Sequence, residues 1–296
     1  MISRDPSDRR DEAQDGQAGS AVPAARDGLV VEQVFSTPGV HPFEQIQWDR
    51  RPAKIGDSSG KTVFEQGEVE VPATWTQLAT NVVASKYFYG EKLTAERENS
   101  VKQLVHRVAR TIADWGRSDG VFATPADCER FYNELTYLCV NQYGAFNSPV
   151  WFNVGLLHVN GVPGSAGNYH WDAETGQPER TMRSYEYPQA SACFIQSVED
   201  TMEDIMRLAA AEAMLFKYGS GTGTDLSTLR SSREKLSGGG TPSGPLSFMR
   251  IYDQVAGVIR SGGKTRRAAK MQSLRCDHPD IKEFIECKMV EEKKAW

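Results

Sequence analysis

Gln189-Ala190-Ser191-Ala192-Cys193-Phe194-Ile195, followed at once by Gln196-Ser197-Val198-Glu199-Asp200-Thr201-Met202, is the stretch on which the fold turns. Its spacing predicts a short buried strand over 190–198 that carries one cysteine and turns into a helix over 200–217. Ser197 with Asp200, or Thr201 with Asp204, can cap that helix. Ala190, Ser191 and Ala192 are small, so another molecule can come close to the sulfur. A cysteine so placed can serve redox chemistry. Taken by itself, it is more commonly an inert buried thiol.

A second unit follows. A loop over 219–225 and 231–244 leads to an amphipathic helix, 246–259, stopped by Gly262-Gly263. Residues 264–274 read as a basic loop entering a strand, and Asp277-His278-Pro279-Asp280 starts a last helix that runs to Trp296. Repeated strand–helix units argue an α/β fold. Upstream the pattern is helical. Val101, Leu104, Val105, Val108, Ile112 and Trp115 recur at helical spacing, and Pro125 opens a helix with Phe131, Leu135, Leu138 and Cys139 on one face. Cys139 reads as core and Cys128 as a partly buried helix residue. Residues 61–72 suggest a short hairpin, 147–153 a compact turn and 158–188 a long loop. The expected organisation is a disordered or extended arm over 1–59 (disordered to about 27), a mainly helical domain over 60–145 and an α/β domain over 146–296.

Composition narrows the function classes. The 296 residues are 39% hydrophobic and 25% charged, with a formal net charge of −5. That is a globular composition, without the basic balance nucleic-acid binding favours. No apolar run approaches the ~20 residues that span a bilayer, and residues 1–27 lack the apolar core of a secretory signal. Five widely spaced cysteines without a CxxC argue against a zinc site or a disulfide scaffold and place the chain in a reducing cytoplasm.

Generic nucleotide motifs fail on spacing. After Gly219 and Gly221, the third glycine of G-x-G-x-x-G is replaced by Thr224. Gly263-Lys264-Thr265 would need its first P-loop glycine at Val258. Two loops rich in Gly, Ser, Thr and Arg remain, holding Arg230, Arg233, Lys264, Arg266 and Arg267, and they can offer amides and cations to phosphate or simply lie solvated on the surface. Taken without further context, Asp200 and Thr201 read as plain helix-start residues. His106 reads as structural, and His170 and His278 lack partners at metal spacing, so no metal site is expected.

Five ordered segments together resemble one family. These are 145–153 (Ala-Phe-Asn-Ser-Pro-Val-Trp-Phe-Asn), 191–194 (Ser-Ala-Cys-Phe), 214–223 (Met-Leu-Phe-Lys-Tyr-Gly-Ser-Gly-Thr-Gly), 229–234 (Leu-Arg-Ser-Ser-Arg-Glu) and 261–269 (Ser-Gly-Gly-Lys-Thr-Arg-Arg-Ala-Ala). They resemble the catalytic chain of ribonucleotide reductase, in its class II, adenosylcobalamin-dependent form, and residues 61–90 fit that class. The resemblance implies a ten-stranded α/β barrel, begun but incomplete here. It implies that Cys193 lies beneath the substrate ribose and is oxidised to a disulfide as the 2′-hydroxyl leaves. Asn147, Ser148, Ala192 and Gly221 match substrate contacts. Asp200 and Thr201 match the start of the helix that holds a deoxynucleotide or ATP effector at a homodimer interface. Arg230 falls in a first specificity loop, and Lys264 and Arg266 in a second that couples effector identity to base choice. A thioredoxin-type reductant is the implied partner.

The chain also departs from the family pattern. The radical cysteine belongs to an Asn-x-Cys-x-Glu motif, and neither Cys276 nor Cys287 has that setting. The chain therefore reads as the N-terminal part of a longer enzyme. It is expected to be inactive alone and to leave an apolar sheet face exposed. Two alternatives stand beside this one: the large subunit of the iron-dependent class, and a non-catalytic effector-binding module.

Overall fold

The computed structural model describes residues 28–261 and 266–293. The tail expected to be disordered over 1–27 and the candidate Lys264 lie outside them. The segment 28–60, read as an extended arm, instead contributes the first strand of a hairpin. Strand β1 (Trp48–Gly56) pairs antiparallel with β2 (Thr62–Pro72), Trp48 opposite Pro72. The register slips between Arg51 and Ala53, at Pro52, which has no N–H to give the ladder. The turn is closed by Asp57, which accepts the amides of Ser59 and Lys61, and by Gly60 at φ +83°. The boundary placed at 59/60 thus falls inside this hairpin turn.

Helix α1 (Gln77–Val82) runs into a single π-helical turn, Val83–Tyr87. Arg97 steadies that turn by donating to the carbonyls of Ala84, Phe88 and Gly90. Helix α2 (Val101–Ser118) starts with a complete capping box, Ser100 with Gln103, and α3 (Pro125–Val140) starts on Thr124 with Pro125 in its first turn. Their apolar faces close a core with the hairpin: Val69, Val71, Phe88, Val101, Leu104, Val105 and Val140. Cys139 is core, as its helical face implied. Cys128 is fully rather than partly buried, packed with Ala109, Ala113 and Tyr132.

Two short helices follow. The stretch read as a turn forms α4 (Ser148–Asn153), capped by Asn147, and α5 (Leu156–Asn160) lies between Gly155 and Gly161. Gly155 is required: at φ +82° a Cβ would sit 2.4 Å from the Arg107 carbonyl oxygen. Buried Arg107 holds this corner, bonding Glu98 at 2.8 Å and the Val154 carbonyl at 2.7 Å. The long loop over 158–188 contains a small hairpin, β3 (Tyr169–Asp172) with β4 (Gln177–Arg180).

The α/β expectation holds in the C-terminal half. Strand β5 (Cys193–Gln196), helix α6 (Met202–Lys217), strand β6 (Gly221–Asp225) and helix α7 (Gly244–Val258) come in order. Strands β7 (Arg260–Ser261) and β8 (Arg266–Arg267) form a short antiparallel pair, before β9 (Lys270–Ser273) and α8 (Ile281–Lys293). Strands β5, β6 and β9 make one parallel sheet in that order. The glycine run read as a loop is therefore its central strand from Gly221 onward. Helices α6 and α7 pack against each other and cover one face of the sheet through Leu208, Phe216 and Tyr252. Among the described residues the sheet has three strands and does not close into a barrel.

Candidate functional site

Strand alternation sorts the sheet into two faces. Cys193 is in register with Gly221, and Ile195 with Gly223, which is in turn in register with Met271. These residues share the face without helices. Ile195 is 82% and Met271 60% exposed, and Cys193 is exposed too. This corrects the expected buried strand: β5 is an edge strand covered on one side only. The two glycines set the shape of this open face. A Cβ on Gly221 would lie 2.9 Å from the Ala269 carbonyl oxygen, and one on Gly223 would lie 3.2 Å from Ile195 Cδ1 and 3.4 Å from Met271 Cε.

Helix α4 is pinned to the segments that lead into β5 and β6. Asn153, 6% exposed, donates its side-chain amide to the carbonyls of Gln189, at 2.8 Å, and Tyr218, at 3.2 Å. These carbonyls belong to the segments that enter β5 and β6. The Ser220 hydroxyl adds a stitch, donating to the Ser191 carbonyl at 2.7 Å. At the other end of α4, Ser148 Oγ lies 3.0 Å from Tyr87 Oη, and the Tyr87 ring stacks on Phe152. Helix α4, with Asn147 and Ser148 at its N-terminal end, is thus tied through Asn153 to the segments that enter the strands carrying Cys193 and Gly221.

A second group gathers at the start of α6. Thr201 is the N-cap and accepts the Asp204 amide, while Asp204 accepts the Glu199 amide. Arg207 and the Glu199 amide hold the Asp204 carboxyl below its ordinary range. Arg230 reaches back to Asp200, Nε to Oδ2 at 2.5 Å. The two groups stand at opposite ends of β5, a four-residue strand about 13 Å long at ~3.3 Å per residue.

Behind the sheet lies a buried polar cluster. Glu212 is fully buried, pairs with Lys270, and accepts the hydroxyls of Thr222 at 3.1 Å and Thr224 at 3.3 Å. Burial lowers the Lys270 ammonium against the opposing pull of Glu212. Tyr252, beneath that ammonium, is pushed up to about 12, first by burial and then by Glu212.

Two family models match this chain. "Class II vitamin B12-dependent ribonucleotide reductase" matches residues 49–142, and "Ribonucleotide reductase, barrel domain" matches residues 191–296. A vitamin B12-dependent ribonucleotide reductase of Rhodopirellula baltica is 65% identical over 279 residues, covering 94% of this chain and 27% of that protein. The Streptomyces coelicolor protein of the same name is 47% identical, with 90% and 25% covered. The chain belongs to the class II, vitamin B12-dependent ribonucleotide reductase family. It spans about a quarter of the length of these curated relatives. Among solved structures, an Actinobacillus ureae class Id ribonucleotide reductase alpha subunit aligns with a TM-score of 0.44 at 18% identity, covering 69% of this chain and 29% of that one.

The residues picked out by sequence fall into two groups in this structure. Asn147, Ser148, Ala192, Cys193 and Gly221 lie on segments joined by hydrogen bonds, and Asp200, Thr201 and Arg230 form the second group. Arg266 is placed by its backbone, in register with Ser261. Sequence reasoning missed Tyr87, Asn153, Glu212 and Lys270. The signals were faint: a second asparagine closing the run 147–153, and one acid in the apolar stretch 208–216. No helix among the described residues is long and apolar enough to cross a membrane.

Proposed function

We propose that this chain supplies the reducing thiol, the substrate floor and the effector-binding elements of an adenosylcobalamin-dependent reductase that makes 2′-deoxyribonucleotides for DNA synthesis. The pairing of Cys193 with Gly221 on the uncovered sheet face, with α4 tied to the segments that lead into both strands, carries the reading. Side chains at Gly221 and Gly223 would press on the Ala269 oxygen and on the ends of Ile195 and Met271, so the glycines keep this face low beside the Cys193 thiol, where the reading seats the sugar. In the overall reaction the 2′ C–O bond breaks and a C–H bond forms. Two thiols become one disulfide, and the hydroxyl leaves as water. The sugar gains the two electrons that the thiols lose. Cys193 is one sulfur, and the reading takes the other from outside these residues. Asn147 and Ser148 are the candidate polar contacts to the substrate.

Adenosylcobalamin supplies the radical when it is bound. Among the described residues no group of three or more His, Cys, Asp or Glu could hold a metal ion. The part of this chain is to seat the sugar and present a thiol. Asp200, Thr201 and Arg230, with Lys264 and Arg266, are the effector contacts in this reading. Met202 and Met206 are 58% and 47% exposed on one face of α6, which suits a helix that packs against a second copy. A thioredoxin-type protein is the proposed external reductant, and the cytoplasm the proposed compartment.

The test uses the complete polypeptide with adenosylcobalamin, a dithiol and ribonucleotides. Deoxynucleotide should form with wild type and not with Cys193→Ser. A requirement for a separate radical subunit would move the assignment to the iron-dependent class. The 296 residues alone should not turn over. Because Asp200 and Arg230 already meet within them, they should bind deoxynucleotide triphosphate without reaction, as an effector-binding module does.

A further inference from the structure

Glu212 touches three elements at once. It belongs to α6, whose N-cap is Thr201. It accepts both hydroxyls that β6 turns to the covered face, Thr222 and Thr224, directly behind the glycines of the open face. It pairs with Lys270, the first residue of β9, whose side chain is 6% exposed. Lys270 comes immediately after the segment that contains Arg266. All these contacts fall on one carboxylate oxygen. The other, Oε2, is buried without a partner, an arrangement a purely stabilising pair would not favour. In exchange, the pair fixes which way β9 faces. With Lys270 held on the covered side, alternation puts Met271 on the open side over Gly223.

We infer that Glu212 and Lys270 are positioning residues that couple the start of α6 to β9, and so set where the segment carrying Arg266 enters beside the substrate floor. The inference rests on the proposed effector role of the α6 start. A nucleotide that draws on Asp200 and Arg230 shifts α6, Glu212 moves with its helix, and Lys270 carries the shift to β9. A change at one end of the sheet reaches the open face through a charge pair behind it, with no direct contact between the two groups.

The experiment follows amide exchange of β9 in the 296-residue chain, with and without a deoxynucleoside triphosphate. Each of dATP, dGTP and dTTP is titrated separately. In wild type, the nucleotide that binds should slow exchange at Met271–Ser273 by about five- to a hundredfold, the usual span of coupling between sites. The informative variant is the double Glu212→Gln/Lys270→Met, which removes both charges at similar volume and avoids a lone buried ion. It should bind the same nucleotide with unchanged affinity and lose the β9 response. Lys270→Met alone serves as a second variant where it folds, and should lose the response likewise. A β9 response that persists in the double variant overturns the inference and leaves the effector reading standing. Absence of nucleotide binding to wild type overturns both.

Discussion

Arg230 clasps Asp200 across thirty residues of sequence, Nε to Oδ2 at 2.5 Å, joining the loop after β6 to the residue before the α6 cap. Both side chains are partly exposed, at 46% and 28%. An ion pair in that setting contributes little to stability, because water screens it and two side chains must be held still. In the proposed effector role the pair would keep the guanidinium in place for a phosphate.

Arg230→Gln therefore separates binding from folding. The thermal midpoint should stay close to wild type, since exposed pairs contribute under about 1 kcal/mol. Deoxynucleoside triphosphate affinity should fall by about tenfold, the loss of one charge-assisted hydrogen bond of about 1.4 kcal/mol. Calorimetric titration of both proteins decides. Unchanged affinity would remove Arg230 from the effector contacts.

The N-terminal arm is held by carboxylates and should let go in acid. Asp127 Oδ1 accepts the Val31 amide, and Glu134 accepts the amides of Val34, Phe35 and Ser36. The Thr124 hydroxyl, then the Val31 amide, holds Asp127 down to about 2. For Glu134, burial acts upward, but the Ser36 hydroxyl and the three amides outweigh it and lower the group. Both folded-state values are depressed. The stabilisation is therefore complete above the ordinary carboxylate values and is lost as pH falls through the depressed ones. The Val31 amide resonance should stay native-like at pH 5 and move as pH falls toward about 2, and that of Ser36 should move as pH falls below the ordinary carboxylate range. Glu134→Gln should free Ser36 already at pH 7.

Much of this was legible because local chemistry and tertiary structure agree. The Ser100 box, the Pro125 start and the apolar stripe of α2 point to the same helices the fold uses. Strand β6 was not legible, because Gly-Thr-Gly-Thr-Asp has neither a strand former's bulk nor an apolar face. Its strand character comes from neighbours on both sides and from Glu212 beneath its threonines. Strand β1 was obscured by Pro52, which a bulge accommodates. Cys193 looked buried because its flanks are small and apolar. A single strand cannot reveal that helices cover only one face of its sheet. Asn153 and Tyr87 act through contacts 36 to 65 residues away in sequence, beyond any local pattern.

Arg107 and Glu98 should be the costliest pair to break. Arg107 is 1% and Glu98 3% exposed, and the guanidinium also bonds the carbonyls of Val154 and Trp151. Arg107→Leu leaves the buried Glu98 carboxylate without its counter-charge, with the Tyr89 amide still donating to it, and takes a donor from two carbonyls. A loss of about 3–5 kcal/mol is expected in urea unfolding. Adding Glu98→Gln should recover part of it, since no lone charge then remains. A single variant as stable as wild type would mean that the corner rests on apolar packing alone.

Gly221 and Gly223 should respond differently to alanine, although they share a strand and a face. The added Cβ at Gly221 meets backbone, the Ala269 oxygen at 2.9 Å, so β6 and β9 must separate. Overpacking of that kind costs about 1–3 kcal/mol. At Gly223 the nearest atoms are the mobile ends of Ile195 and Met271, which can turn away. Gly223→Ala should therefore fold with nearly wild-type stability, as read by thermal melting, yet fill the open face. In the complete enzyme its effect should be on KM for the nucleotide, with stability spared. Equal destabilisation by both alanines would contradict this view of the face.

The cysteines should divide by position in a way that tests the corrected place of Cys193. Cys128 and Cys139 are buried, and burial pushes the Cys139 thiol up to about 11. Such a thiol holds little thiolate at pH 8, and reagent reaches it only when the helices open. Cys193 and Cys276 are exposed. With N-ethylmaleimide at pH 8, mass spectrometry should find Cys193 and Cys276 labelled early, while Cys128 and Cys139 react only as the chain is unfolded in urea. A nucleotide seated over Gly221 and Gly223 should then slow Cys193 and leave Cys276 unaffected, because Cys276 lies beyond β9 and outside the face the sugar would cover. Protection of both cysteines alike would point to a global tightening rather than to a substrate held over the thiol.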